Sequence, residues 1–216
     1  RKLSLMGKIT VIQSFALPKL IYTITNLNNP PLNKINEITN LMFRFLWDSK
    51  PDKISRKQIS QPYERGGLKM INFNFFIYSL KCTWIKRIFD ENNNGQWKQI
   101  YIRKLSRYGG KILFECELNS KITNMLFKKC TFLKDILLCW TQVKHIDSIQ
   151  TGKQVIWNNE NILIDNKPLY FKEWVNKGII YIEDLFDYRT HSFHNSQYLN
   201  DIYNLSLKEM HHYNQI

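Results

Sequence analysis

Apolar residues recur every three to four positions along much of this chain, the period of helices that bury one face. From Ser4 to about Asn26 the stripe is Leu5, Ile9, Ile12, Ala16, Leu20 and Ile24, and Ser4 is placed to cap the helix start. Pro18 interrupts that pattern, because it has no amide hydrogen and its ring presses on the carbonyl of Ser14. Two helical pieces sharing one stripe are predicted. Asn28-Asn29-Pro30-Pro31 is a turn whose proline, at the first helical position, starts a second helix on Ile35, Ile38, Leu41, Met42, Phe45 and Leu46, running to Trp47. A third, on Phe73, Phe76, Ile77, Leu80, Trp84 and Ile88, spans about Phe73 to Phe89 and is ended by Asn92-Asn93-Asn94-Gly95. Between them, Asp48 to Lys69 has no sustained period and contains Pro51, Pro62 and Gly66-Gly67, so loops with short strands or turns are expected.

Further helical pieces fall near Gln96 to Arg107 and Phe132 to His145, with a turn or strand around Gly109-Gly110 to Glu117. The last part changes character. Gln154 to Trp157 and Ile162 to Ile164 are spaced to pair as a hairpin around Asn158-Asn159. Short helices follow at Leu169 to Asn176, stopped by Gly178, and at Glu183 to Phe186. Final helices begin near Ser196 and at Ser206, where Ser206-Leu207-Lys208-Glu209 spells a capping box. The expected fold is mainly α, a helical bundle over residues 1–92 and a helical connector over 93–150. A smaller α+β region with a short hairpin completes it over 151–216.

With 216 residues, 44% of them hydrophobic, the chain has the material for one large domain or two small ones. Its formal charge of +13 is unevenly spread: the balance is +8 over residues 1–70, +7 over 71–150 and −2 over 151–216. A field of one sign over two thirds of the chain attracts polyanions, most commonly nucleic acid. Membrane contact is not expected. Apolar runs such as Ile136-Leu137-Leu138-Cys139-Trp140 fall well short of the ~18 residues that cross a bilayer. Cys82, Cys116, Cys130 and Cys139 follow no signal peptide and contain no Cys-x-x-Cys, which fits a reducing, intracellular setting and argues against a zinc site. The chain starts at Arg1 without methionine and ends in a polar stretch, so it reads as part of something longer.

At 100° per residue, Ser4, Gly7, Val11 and Ser14 lie opposite the apolar stripe of the first helix, with Lys8 and Lys19 at its margin. Short side chains flanked by lysine let a helix approach a nucleic-acid backbone closely, and they equally let a second helix pack there. Gly66-Gly67 brings the chain tightly past something or simply turns it into the next helix. Lys50, Lys53, Arg56, Lys57 and Arg65 make the loop basic, as either a second grip or a solvated face, while Trp47 and Trp84 read as core.

No catalytic residues emerge. Two-metal phosphoryl transfer needs clustered carboxylates, and the basic region offers only Asp48 with Asp52 in a loop and the adjacent Asp90-Glu91. Met6-Gly7-Lys8-Ile9 lacks the upstream glycine and the Ser/Thr of a phosphate loop. Gly-x-Ser-x-Gly and His-Glu-x-x-His do not occur, and His191, His194 and His211-His212 read as surface residues.

Taken in order, Arg1-Lys2-Leu3-Ser4-Leu5-Met6-Gly7-Lys8, Phe15-Ala16-Leu17-Pro18-Lys19-Leu20-Ile21-Tyr22 and the Pro30-Pro31 turn lead into Phe43-Arg44-Phe45-Leu46-Trp47 and Glu64-Arg65-Gly66-Gly67-Leu68-Lys69-Met70. This series resembles the region after the polymerase palm in LINE-type (non-LTR) retrotransposon reverse transcriptases. Ile156-Trp157-Asn158-Asn159, Trp174-Val175-Asn176-Lys177-Gly178-Ile179, Glu183-Asp184-Leu185 and Tyr213-Asn214-Gln215-Ile216 extend the resemblance over nearly the whole chain. It implies that residues 1–92 form a thumb that closes over template and primer. The family's catalytic carboxylates and their divalent metal would lie in a palm upstream of Arg1, with no cofactor in this chain, and its C-terminal zinc knuckle is missing here.

The expected partners are RNA, RNA–DNA hybrid or duplex nucleic acid and the upstream palm, in the nucleus or a cytoplasmic ribonucleoprotein. The contacts expected are Ser4, Gly7, Lys8, Ser14, Lys19, Arg44, Lys50, Lys53, Arg56, Lys57, Arg65 and Lys69. The alternative is a helical protein-interaction module or a decayed element copy, with Trp174, Tyr181, Phe186 and Tyr188 as its docking surface.

Overall fold

The computed structural model describes residues 3–144, 153–206 and 213. The fold is mainly helical with two small antiparallel hairpins near the C-terminus, in line with the periodicity. It divides into two compact units, residues 1–85 and 86–216.

The first unit opens with α1 (Leu5–Val11), whose start is capped as expected: the Ser4 hydroxyl accepts from the Gly7 amide at 3.1 Å. The proline is accommodated by a π turn over Ile12–Ala16, closed by the Leu17 amide on the Ile12 carbonyl at 3.0 Å. The wider turn relieves the crowding that the Pro18 ring would create in a regular helix, so the chain resumes directly as α2 (Pro18–Asn26).

The second helix, α3 (Leu32–Leu46), begins one residue later than expected, with Pro31 outside it in an extended conformation. The third, α5 (Phe73–Phe89), matches its periodic stripe. Ile9, Ile12, Leu17 and Ile24 from the first pieces pack with Met42, Phe43, Leu46 and Trp47 and with Phe73 and Ile77 in one buried cluster. Among the described residues of the connection between α3 and α5 there are turns and no strands. It contains α4 (Arg56–Ile59) and a single tight turn over Tyr63–Arg65, and its buried Ile59 and Met70 anchor it to the same core.

The second unit contains α6 (Gln96–Leu105), α7 (Ser120–Leu126) and α8 (Thr131–Val143), and tight turns rather than a strand occupy Gly110–Phe114. Helix α7 is too short to show a period, which is why the pattern missed it. Burial in this unit pushes the Cys116 thiol up to about 12, so it stays protonated at neutral pH.

The expected hairpin around Asn158-Asn159 does not form. Strand β1 (Leu163–Ile164) pairs instead with β2 (Lys167–Pro168), and the turn between them holds Asp165 and Asn166 at φ +51° and +60°, a conformation that Asp and Asn tolerate. Asn158 and Asn159 are 1% and 0% exposed and bond inward, Asn158 to the Tyr108 carbonyl at 3.0 Å and Asn159 to the Val155 carbonyl at 2.8 Å. Val155 bridges Tyr181, and Trp157 enters the core with its indole nitrogen donating to the Ile179 carbonyl at 2.9 Å.

Helix α9 (Lys172–Asn176) is shorter than expected, and Gly178 ends it at φ +91° with the Ile179 amide reaching back to the Trp174 carbonyl. The helix expected over Glu183 to Phe186 is replaced. A tight turn over Ile182–Asp184 leads into β3 (Phe186–Asp187), which pairs with β4 (Ser192–Phe193). Helix α10 (Ser196–Tyr203) starts where predicted, and the capping box at Ser206 extends beyond the described residues.

Trp157 meets Trp174 edge to face at 6.0 Å and Phe171 at 5.8 Å, and both tryptophans are fully buried. Trp157→Ala is expected to cost about 3–5 kcal/mol, read as a lower urea midpoint. Trp157→Phe, which keeps most of the packing and loses the bond to Ile179, should cost clearly less.

Candidate nucleic-acid interface

The small-residue face of the first helix is open. A Cβ added at Gly7 would meet nothing nearer than the Ser4 hydroxyl at 3.4 Å and Leu3 at 3.6 Å, so no other element closes on it among the described residues. Ser4 and Ser14 are exposed, the second on the π turn. Of the two uses of short side chains, packing by another helix within this unit is therefore not the one realised.

Lys8 does not sit at the margin of that face. Its side chain is 10% exposed and runs inward, where the ammonium donates to the Leu46 carbonyl at 3.2 Å and meets the Asp48 carboxylate at 2.6 Å. Four methylenes let the residue bury its stem while the charge serves the C-terminal end of α3. Its charge is thereby committed to the fold. Arg56 is likewise held: its guanidinium lies 4.5 Å over the Phe43 ring, with Nε 2.7 Å from Asp52 and Nη1 donating to Asn40 at 2.8 Å.

Lys19, Arg44, Lys50, Lys53, Lys57, Arg65 and Lys69 are exposed. Lys69 places its ammonium 4.7 Å over the Tyr63 ring, and the other six carry no ion pair with a described carboxylate. The reason lies in the acids. Of the four in residues 1–70, Glu37 is paired with Lys34, Asp48 with Lys8 and Asp52 with Arg56, which leaves Glu64 to face the remaining cations.

Arg56 and Lys57 come together at the edge of a groove of about 510 Å³ whose apolar lining includes Phe43, Phe73 and Phe75. Asn72 at its rim accepts from the Asn74 and Phe75 amides at 3.0 and 3.3 Å and so caps α5. An edge with positive charge over an aromatic wall can hold a phosphate beside a sugar or base. Phe75, 59% exposed, and Asn72 were not read from the sequence as site residues. The signal that could have found Phe75 is its absence from the apolar stripe of α5, which leaves a large ring outside the core.

Gly67 is explained by the loop itself: a Cβ there would fall 2.0 Å from the Gln61 carbonyl oxygen, so the glycine pair passes its own backbone. Gln58 donates to the Arg65 carbonyl at 2.8 Å and Gln13 to that of Lys69 at 2.9 Å, which fixes the basic loop against the π turn. Trp47 is buried, and the Trp84 indole donates to the Thr25 carbonyl at 2.7 Å. In the second unit Trp174 is fully buried and cannot form a docking surface, whereas Tyr188 is 50% exposed.

Among the described residues no group of three or more His, Cys, Asp or Glu could hold a metal ion, and no helix is long and apolar enough to cross a membrane. No protein family, curated protein or solved structure matches this chain.

Two lysines that the sequence places alike now separate. Lys8→Glu puts a carboxylate beside Asp48 and the end of α3 and should lower stability by about 2 kcal/mol or more, whereas Lys19→Glu should leave the thermal midpoint unchanged. Equal midpoints for the two variants in a melting experiment would contradict the buried role of Lys8.

Proposed function

We propose that this chain is the nucleic-acid-binding thumb and C-terminal part of a non-LTR retrotransposon reverse transcriptase, an RNA-directed DNA polymerase, and that it grips the primer-template duplex while the chemistry belongs to an upstream palm. The observation that carries the reading is the set of exposed cations without an ion pair to a described carboxylate, Lys19, Arg44, Lys50, Lys53, Lys57 and Arg65. They accompany an open face of short side chains at Ser4, Gly7 and Ser14, and three of the four acids of residues 1–70 are occupied elsewhere. Charge left unneutralised on a fixed scaffold attracts a polyanion without reorganisation. The motif order is what points to this polymerase rather than to nucleic-acid binding in general. On this reading the partners are RNA and RNA–DNA hybrid, and the protein works inside the cell, in the nucleus or a ribonucleoprotein.

One observation favours a second reading, a helical protein-interaction module. Phe15 and Tyr22 are 67% and 77% exposed on the first helical pieces, and Leu3, Met6 and Ile21 of the same segment are also exposed. Such side chains suit a protein surface, which in the leading reading is the palm.

Affinity for an RNA–DNA hybrid, measured across a salt series, decides between the two. The leading reading predicts a steep log-log dependence, and Lys53→Glu with Lys57→Glu and Arg65→Glu should flatten it by about 2.7, at about 0.9 for each phosphate no longer neutralised. A slope near zero for the unaltered chain overturns nucleic-acid binding and leaves the protein-docking reading.

A further inference from the structure

The second unit carries a basic pocket of its own. Lys104 and Arg107, at and after the end of α6, face Lys128, Lys129 and Cys130 in the turn between α7 and α8, around a space of about 280 Å³. Tyr108 and Phe127 form its wall, edge to face at 5.2 Å, and Met125, 51% exposed, lies at its rim. No acid lines it, and none of its four cations is ion-paired with a described carboxylate. The Lys104 ammonium rests 3.5 Å from the Cys130 sulfur.

Four positive charges around so small a space repel one another, and an anion entering it relieves all of them at once. The start of α8 adds to that field. Cys130 stands at its N-cap without a side-chain cap, the first turn holds no acid, and the helix's one acid, Asp135, is buried and outside the lining. Such a pocket matches a nucleic-acid strand, which puts a full charge on every nucleotide, and the half-buried Tyr108 beside the cations offers a ring to the attached sugar or base, a contact that a run of carboxylates does not use.

We propose that the pocket of Lys104, Arg107, Lys128 and Lys129 is a second binding site of this chain, one that takes the phosphodiester backbone of nucleic acid. It uses none of the residues assigned to the thumb surface. Cys130 reports its occupancy, because the bound backbone covers the thiol.

The test uses the full chain with Cys82→Ala, so that Cys130 is the remaining half-exposed thiol while Cys116 and Cys139 stay buried. A saturating RNA–DNA hybrid should slow alkylation of Cys130 by about tenfold, the protection expected when the bound state dominates. The same hybrid, titrated by fluorescence anisotropy against Arg107→Glu with Lys128→Glu, should bind more weakly, with a salt slope flatter by about 1.8 for two phosphates left unneutralised. Lys172→Glu, a reversal on the exposed side of α9, should leave the slope unchanged. Protection that survives the triple reversal at Lys53, Lys57 and Arg65 would establish the pocket as independent of the thumb surface.

Unslowed alkylation while the hybrid is bound overturns the inference and leaves the thumb reading standing. So does protection by inorganic phosphate with none by the hybrid. The alkylation arm needs no substitution in the pocket, so a reversal variant that fails to fold does not blunt the test.

Discussion

A carbonyl in the last turn of a helix has no amide of its own helix to meet, and burying it without a partner costs about as much as losing a hydrogen bond. In this chain lysine ammonium groups meet that need repeatedly. Lys8 bonds the Leu46 carbonyl at the end of α3, and Lys81, fully buried, bonds that of Leu27 after α2. Lys98 bonds the Asp90 and Asn93 carbonyls after α5, Lys144 those of Glu115 and Cys116, and Lys177 that of Asn204 after α10. At Leu46, Leu27 and Asn204, in the last turn or at the cap of α3, α2 and α10, the lysine also places its charge where the helix dipole is negative. The pattern recurs in both units, where helices end in tight connections whose carbonyls would otherwise lack an amide partner.

The basic character of the chain therefore has two origins that composition cannot separate. One set of lysines belongs to the interior and is satisfied by backbone oxygens. Another stays in water, with three of the four acids of residues 1–70 drawn off by Lys8, Lys34 and Arg56. A net charge of +13 overstates the field offered to a ligand by counting the first set, yet the free cations of the connection between α3 and α5 and of the pocket beside Cys130 remain.

The long helices were legible because their apolar spacing records burial on one side, and the disturbance at Pro18 was legible because its cause is local. The form it took, a π turn that lets the helix continue, depends on which carbonyl Leu17 can reach once Ile12 is fixed in the core. Asn158-Asn159 resembles a hairpin turn between two apolar runs, but its amides are spent on carbonyls inside the fold, one of them fifty residues away at Tyr108. Tertiary demand of that kind leaves no local mark. Lys8 failed for a related reason: a helical wheel gives the direction of a Cβ, and a long side chain can turn inward from the edge of a face. The exposed members of the basic loop were legible as charges, whereas the groove beside them, with Phe75 and Asn72, needed the packing of α4 against the start of α5.

Because the capping lysines and the solvent-facing ones are different residues, drift in sequence acts on them separately. An exchange of lysine for arginine, or the loss of a charge, is tolerated at Lys50 or Lys53 by the fold, while at Lys81 a guanidinium has to fit a space shaped around a slender ammonium. A lineage of such chains under no demand to hold a ligand would shed its outer charges first and keep the inner ones for as long as it folded. Retention of the outer charges across related copies would then be a mark of selection for use rather than for folding.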